Sequence, residues 1–488
     1  MLKLILIGSV GLIFIFALII IIRNKPDLWF WIFLNLYFDP GGYVLEYLGG
    51  SLLGPLSITD VFITGMVICL ISTHTNWKVI IQDQFLKKFI FLLFLFVAYY
   101  FIVYGAVVPF FNDDFNYNTF LMKNRVYPYG FIILIAVYVF TLRSISYFYS
   151  STLFVGTICL TLYFITLITG IELIPIWEFA RNPGEEAMRI SMLSYGIFYL
   201  LFPLSLIVYL LSRRMSLDFK YKYWLYYSGI IMLITLLITL TKRLQIDIIG
   251  TILIITLIIS YIFKSGSLSS ILKIIIPAML VILILYFTFP KYGGYIVEIG
   301  EDTFLLITTG RDSKGESDQR VTGTGDYDLV KEYISNNLFF GTGYTNLIWT
   351  GPGTRTTPRG DTFARVMDAA GEVPIYFMFF SFGIAGAVLI SLLYFMMVQL
   401  FIKLLKLLRL TFMNYLQEPI IIMFSIYILL TIVTKFTINL YALSVDFLPS
   451  QIAPTAILLG IGFALYRKLS LNLNSEPESL NNGQNLII

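Results

Sequence analysis

Runs of about twenty apolar residues, repeated along nearly the whole chain, constrain this protein more than any other feature. A helix of that length spans a hydrocarbon core about 30 Å thick, where every backbone polar group must be satisfied within the segment. The runs are continuous and do not alternate, which excludes a β-barrel. Of 488 residues, 58% are hydrophobic and only 13% charged, about half the charged share of a soluble domain. The sequence therefore predicts an all-α polytopic integral membrane protein.

Run length places about thirteen spans, near 3–22, 28–46, 57–75, 88–108, 126–142, 151–171, 190–211, 223–241, 245–263, 271–289, 373–401, 419–440 and 451–466. The second is interrupted at Asp39-Pro40-Gly41-Gly42, where a re-entrant or bent segment is expected. The first has only Lys3 ahead of it and no small-residue cleavage site, so it reads as a span and not a removed signal peptide. The chain thus divides into transmembrane helices over 1–289, one long, partly helical external loop over 290–371, further transmembrane helices over 372–468, and a polar tail over 469–488 expected to be disordered. Cys69 and Cys159 both fall inside apolar spans, which argues against a disulfide framework.

Orientation follows from Lys and Arg in short connections. Arg23, Lys25, Lys78, Lys87, Lys88, Arg143, Arg213, Arg214, Lys220, Lys222, Lys264, Lys273, Lys403, Lys406, Arg409, Arg467 and Lys468 occupy one alternating set. That set is predicted cytoplasmic, with the N-terminus outside and the C-terminus inside.

The opposite face departs from the charge rule. Its loops carry Lys123 and Arg125, Arg181 and Arg189, Lys242 and Arg243, and in the long loop Arg311, Arg320, Arg355, Arg359 and Arg365. Basic residues are normally scarce there, so an anionic substrate is the reading that explains them. Arg243 lies in a short hinge, Leu240-Thr241-Lys242-Arg243-Leu244. An isolated arginine at such a boundary commonly snorkels to lipid headgroups; a bidentate clamp on a diphosphate is the functional alternative. Asp247, one turn on, can orient or neutralise it. Arg181 and Arg189 flank Asn182-Pro183-Gly184-Glu185-Glu186, read as a turn followed by a helix start.

Within the long loop, Asp326 to Asn336 reads as an amphipathic helix with Tyr327, Val330 and Ile334 on one face. It ends at Leu338-Phe339-Phe340-Gly341-Thr342-Gly343-Tyr344, where a tight turn closing a helix explains the glycines. Asp361, Arg365 and Asp368 share a face if helical, and Glu372 precedes Pro374 at the start of a span. An ion-paired surface helix accounts for this row as well as a general base toward a sugar hydroxyl does. The single histidine, His74, is read as incidental; the outer acidic pair Asp113-Asp114 is either a divalent-ion site or, as such pairs in polar loops usually are, simply solvated. No zinc cluster, P-loop or Gly-x-Ser-x-Gly element occurs in the sequence.

This pattern resembles the bacterial O-antigen polymerase and O-antigen ligase superfamily, of the Wzy and WaaL type. The resemblance rests on Leu56-Ser57-Ile58-Thr59-Asp60, on Thr239-Leu240-Thr241-Lys242-Arg243, on Leu338-Phe339-Phe340-Gly341-Thr342-Gly343 and on Phe382-Gly383-Ile384-Ala385-Gly386, in that order around a long outer loop. It implies a membrane glycosyltransferase in the bacterial cytoplasmic membrane, acting on undecaprenyl-diphosphate-linked glycans at the outer face. On that footing Arg243 and Arg311 or Arg320 are the expected diphosphate contacts, with Arg181, Arg189, Arg365 and Tyr344 toward diphosphate or glycan. The base stays open among Asp361, Asp368 and Glu372. No cofactor or metal is implied. Expected partners are the lipid-linked glycan, membrane lipid and a chain-length regulator protein, not nucleic acid. A ligase's histidine after the Gly-x-Gly turn is missing here, which favours a polymerase over a ligase; a flippase for the same lipid-linked unit is the rival of another class.

Overall fold

The computed structural model describes residues 22–37, 58–73, 82–107, 120–121, 124–169, 177–180, 188–191, 198–238, 242–263, 301, 305, 326–336, 338–341, 348–351, 354–356, 374–437, 447 and 452–474. Its helices are α1 (Pro26–Tyr37), α2 (Ile58–Ser72), α3 (Gln84–Ile102), α4 (Val126–Thr169), α5 (Phe198–Met215), α6 (Lys222–Ile238), α7 (Lys242–Ile262), α8 (Asp326–Asn336), α9 (Pro374–Thr411), α10 (Pro419–Thr437) and α11 (Ile452–Asn474). A π turn, Val103–Val107, extends α3. Among the described residues, five helical stretches are long and apolar enough to cross a membrane: Gln84–Ala106, Val126–Leu162, Tyr376–Tyr415, Pro419–Phe436 and Ile452–Leu471. The protein is thus predominantly helical and compatible with a membrane protein; the expected spans at 3–22 and 271–289 lie outside the described residues, apart from Ile22.

Two short antiparallel ribbons accompany the helices: β1 (Trp177–Ala180) with β2 (Met188–Ser191), and β3 (Ile348–Gly351) with β4 (Thr354–Thr356). Each pair flanks a Pro-Gly sequence, Pro183-Gly184 in one and Pro352-Gly353 in the other, the residues that favour chain reversal. The first ribbon corrects the helix start expected after Arg181. Residues 188–191 are strand, and the helix begins at Phe198.

Helix α4 breaks at Ser144 (φ −149°, ψ 42°), and its two halves run along α1 in opposite senses. Going up α1, Asp27 meets Arg143 (3.1 Å), Phe30 stacks on Phe140 (4.0 Å between centroids), and farther along α2 and the first half of α4 meet at Asp60 and Arg125. The second half rises in parallel: Trp31 meets Phe148 (4.7 Å), then Asn35 donates to Ser151 (2.9 Å). The chain therefore doubles back at Ser144. Apolar run length led the sequence reading to expect two spans here, 126–142 and 151–171, with Arg143 in the connection between them.

Many basic residues of the alternating set gather at one end of the bundle. Arg143 bonds Asp27 there, Lys403 lies 3.9 Å from the Phe85 ring, Arg409 lies 4.5 Å from the Tyr261 ring, and Lys468 pairs with Glu418 at 2.9 Å. Asp83 caps α3 at this end, accepting from the Phe85 and Leu86 amides, and also accepts from the Tyr138 hydroxyl (2.9 Å). The connection from α5 to α6 carries an exposed pair, Asp218 with Lys222 at 2.7 Å; the ammonium hydrogen-bonded to Asp218 holds its carboxyl below the usual range.

The core fills the spaces between these helices with aromatic and branched side chains, Trp31, Phe89, Phe96, Phe140 and Phe380 among the fully buried ones. In a lipid setting the hydrophobic effect does not drive helix against helix, so close van der Waals approach must do so. At α4 against α11 the backbones are so near that a β-carbon on Gly460 would sit 2.9 Å from the Leu134 carbonyl oxygen.

Candidate functional site

The end opposite the basic one is organised around a second broken helix. At Gly383, α9 leaves helical geometry (φ +61°, ψ −169°). A break frees carbonyls before it and amides after it, and in an apolar interior those groups must find partners. They do so outside the helix. The Ile384 amide donates to the Leu338 carbonyl (2.9 Å) and the Ala385 amide to the Phe339 carbonyl (3.3 Å). The Tyr99 hydroxyl donates to the Phe382 carbonyl (2.7 Å), and the Tyr104 hydroxyl lies 2.6 Å from the Ser381 carbonyl and also against that of Phe340.

Glycine is required on both sides of this contact. Gly341 (φ +70°) and Gly383 both adopt left-handed backbone, which other L-residues rarely enter. A β-carbon on Gly383 would stand 2.4 Å from the Phe339 carbonyl, and one on Gly341 would stand 2.6 Å from the Gly383 nitrogen. Two of the four segments that carry the family resemblance, 338–343 and 382–386, therefore touch through their described residues, backbone against backbone.

Helix α8 delivers the turn to this place. Its bounds are those read from the sequence, and its apolar face does the docking: Val330 is fully buried, Ile334 is half-buried, and Tyr333 lies 6.1 Å from Phe380 on the first half of α9. From the other side, the π turn after α3 carries Tyr104; such widened turns recur where a helix must re-aim a side chain for function. Tyr100 anchors the surrounding aromatic cluster, 4.9 Å from Tyr104 and 5.2 Å from Tyr127. Two fully buried polar atoms here, Asn124 Oδ1 and Ser381 Oγ, have no hydrogen-bond partner among the described residues.

A separate polar contact closes the same end between α2 and α4. Arg125 pairs with Asp60 at 3.2 Å, with side chains 29% and 15% exposed, and Tyr129 donates to the same carboxylate. Asp60 belongs to the early segment of the resemblance, and Arg125 is one of the basic residues the sequence placed on this face. Their charges are matched to each other, so Arg125 fastens two helices and is not a free cation. The pairing spans 65 positions and left no local trace in the sequence.

Arg243 is the second residue of α7, described by backbone alone. The expected hinge at 240–244 is thereby corrected at its end: Lys242 and Arg243 sit in the first helical turn of α7. The far end of α7 lies at the basic end, where Phe263 packs 4.9 Å from Phe412 and Tyr261 meets Arg409. Twenty-one residues of helix rise roughly 30 Å, so Lys242 and Arg243 stand at the end of α7 away from the basic one. A lysine and an arginine in a first helical turn add positive charge where the helix dipole already favours an anion.

Arg189 stands in β2 opposite Phe179, and Arg355 in β4 opposite Trp349, both by backbone. Arg181, Arg311, Arg320, Arg359, Arg365, Asp361, Asp368, Glu372 and Tyr344 lie outside the described residues, as do His74, Asp113 and Asp114. Among the described residues no group of three or more His, Cys, Asp and Glu side chains is placed to hold a metal. In comparison with known proteins, no family model matches the chain and no curated protein matches it.

Proposed function

We propose that this protein is a polysaccharide polymerase of the bacterial cytoplasmic membrane, with the Gly383 end facing outward. It transfers a growing glycan from undecaprenyl diphosphate to the nonreducing end of another lipid-linked repeat unit. The observation that supports this reading is the position of Lys242 and Arg243 in the first turn of α7, at the end of that helix away from the basic one. Positive charge on a helix N-terminus suits a diphosphate held at the membrane boundary.

In the proposed reaction an acceptor hydroxyl oxygen attacks the anomeric carbon of the donor. The bond from that carbon to the diphosphate oxygen breaks, and its electron pair leaves with the diphosphate. Arg243, with Arg311 or Arg320, stabilises that developing charge, an effect enlarged where water is partly excluded. One carboxylate among Asp361, Asp368 and Glu372 takes the hydroxyl proton. Arg181, Arg189, Arg365 and Tyr344 position diphosphate and sugars. The energy comes from the lipid-linked donor, so no nucleotide is needed on the outer side.

The test is Arg243→Ala in a strain whose own copy is deleted. Long glycan chains are expected to vanish while lipid-linked single repeats persist, with partial recovery in Arg243→Lys. Normal chain lengths in Arg243→Ala would remove Arg243 from the site.

A further inference from the structure

The docked turn presents three consecutive apolar side chains to its surroundings: Leu338, Phe339 and Phe340 are 42%, 68% and 54% exposed. In water such a patch on a loop would be costly, and its depth in the fold shows what covers it. The Leu338 carbonyl is bonded to the Ile384 amide, so the turn lies level with Ile384. From there to Lys403, whose ammonium rests on the Phe85 ring at the basic end, α9 runs about twenty residues, or roughly 30 Å. That is the thickness of a bilayer's hydrocarbon core.

Between those levels α9 exposes Ile384, Val388, Leu392 and Phe395, spaced as one helical stripe. The backbone of Leu338 and Phe339 is bonded at the top of this stripe, to Ile384 and Ala385. The first half of α9 and the whole of α8, whose exposed residues include Asp328, Lys331 and Glu332, lie on the far side of the Gly383 break.

We propose that Leu338, Phe339 and Phe340 insert among the acyl chains of the adjacent bilayer leaflet and anchor the long loop there. The anchoring chemistry is the hydrocarbon of bulk lipid. Backbone pairing to α9 sets the turn's depth, and the three side chains cover the top of the lipid-facing stripe. This inference needs the bilayer, but not the glycosyltransferase reading.

The test uses full-length protein in phospholipid nanodiscs with Cys69 and Cys159 replaced by alanine. Single Phe339→Cys, Phe340→Cys, Val388→Cys and Glu332→Cys variants carry a nitroxide, and collision with oxygen is compared with collision with a polar nickel chelate. The expected ratio of oxygen to nickel collision at 339 and 340 is about tenfold above that at 332, because the chelate is excluded from hydrocarbon, and approaches that at 388. Nickel collision at 339 and 340 equal to that at 332 would overturn the proposal. So would shielding of both positions from both reagents, which would mean protein covers them. Nickel access at 388 would remove the bilayer from this surface altogether and overturn it on that ground.

Discussion

The two broken helices, α4 at Ser144 and α9 at Gly383, interrupt the same kind of apolar helix and are closed in opposite ways. At Ser144 the freed carbonyl is met by the break's own side chain. The serine hydroxyl donates back to the Phe140 carbonyl (3.2 Å), and the Trp31 indole donates to the hydroxyl (3.3 Å). The chain turns and the second half runs back along α1. At Gly383 the chain continues, and its freed groups are closed by the loop turn and by two tyrosines 277 and 283 positions away. A break whose freed carbonyl is met by its own side chain is a turn, here braced from α1 by Trp31. One closed by distant segments holds only while those segments are docked, so it ties the state of the long loop to the helix bundle.

The largest effect expected from this contrast belongs to the glycine pair. Gly383→Ala or Gly341→Ala meets both left-handed backbone and a β-carbon clash with backbone, together about 3–5 kcal/mol. Hydrogen exchange at the Ile384 and Ala385 amides should accelerate strongly and glycan polymerisation should fail; unchanged protection would break the comparison. Next, Tyr104→Phe removes one hydroxyl that faces two carbonyls, a loss of about 1–3 kcal/mol, read in the same amides, with Tyr99→Phe milder. The Asp60–Arg125 pair is partly exposed, so a double-mutant cycle of Asp60→Asn and Arg125→Gln should give coupling of about 1–2 kcal/mol without changing exchange at Ile384. Ser144→Ala should cost about 1 kcal/mol or less and leave the Gly383 end untouched, which sharpens the distinction between the two breaks. The exposed Asp218–Lys222 pair should matter least. The carboxyl's lowered pKa means that any stabilisation is present above the usual carboxylate range, neutral pH included, and is lost as pH falls through it. Because the pair is exposed and screened, Asp218→Asn should lower the thermal unfolding temperature at neutral pH only slightly.

Periodicity made part of this legible. The bounds of α8 and the buried side of Val330 follow from apolar spacing, and the reversal near Ser144 follows from Arg143 lying between two apolar runs. Gly383 was visible as part of a motif, but not as a break, because a glycine within an apolar run looks like any close-packing glycine until its partner is known. The Asp60–Arg125 pair and the tyrosine bonds join distant positions, which local pattern does not encode. The ribbons were missed although Pro-Gly punctuation marks both: three- and four-residue strands are too short for alternation to register. Arg243 was read into a hinge at 240–244, whereas the helix already begins at Lys242; cations in a first turn run against the usual N-terminal preference.

The most direct measurement is a gel profile of surface glycan and lipid-linked intermediates from a strain lacking this chain. A polymerase leaves single repeat units on an otherwise complete anchor, with the long ladder gone. Loss of all surface glycan with lipid-linked units held inside the cell, polymer stranded on its lipid carrier, or an unchanged ladder would each contradict the account.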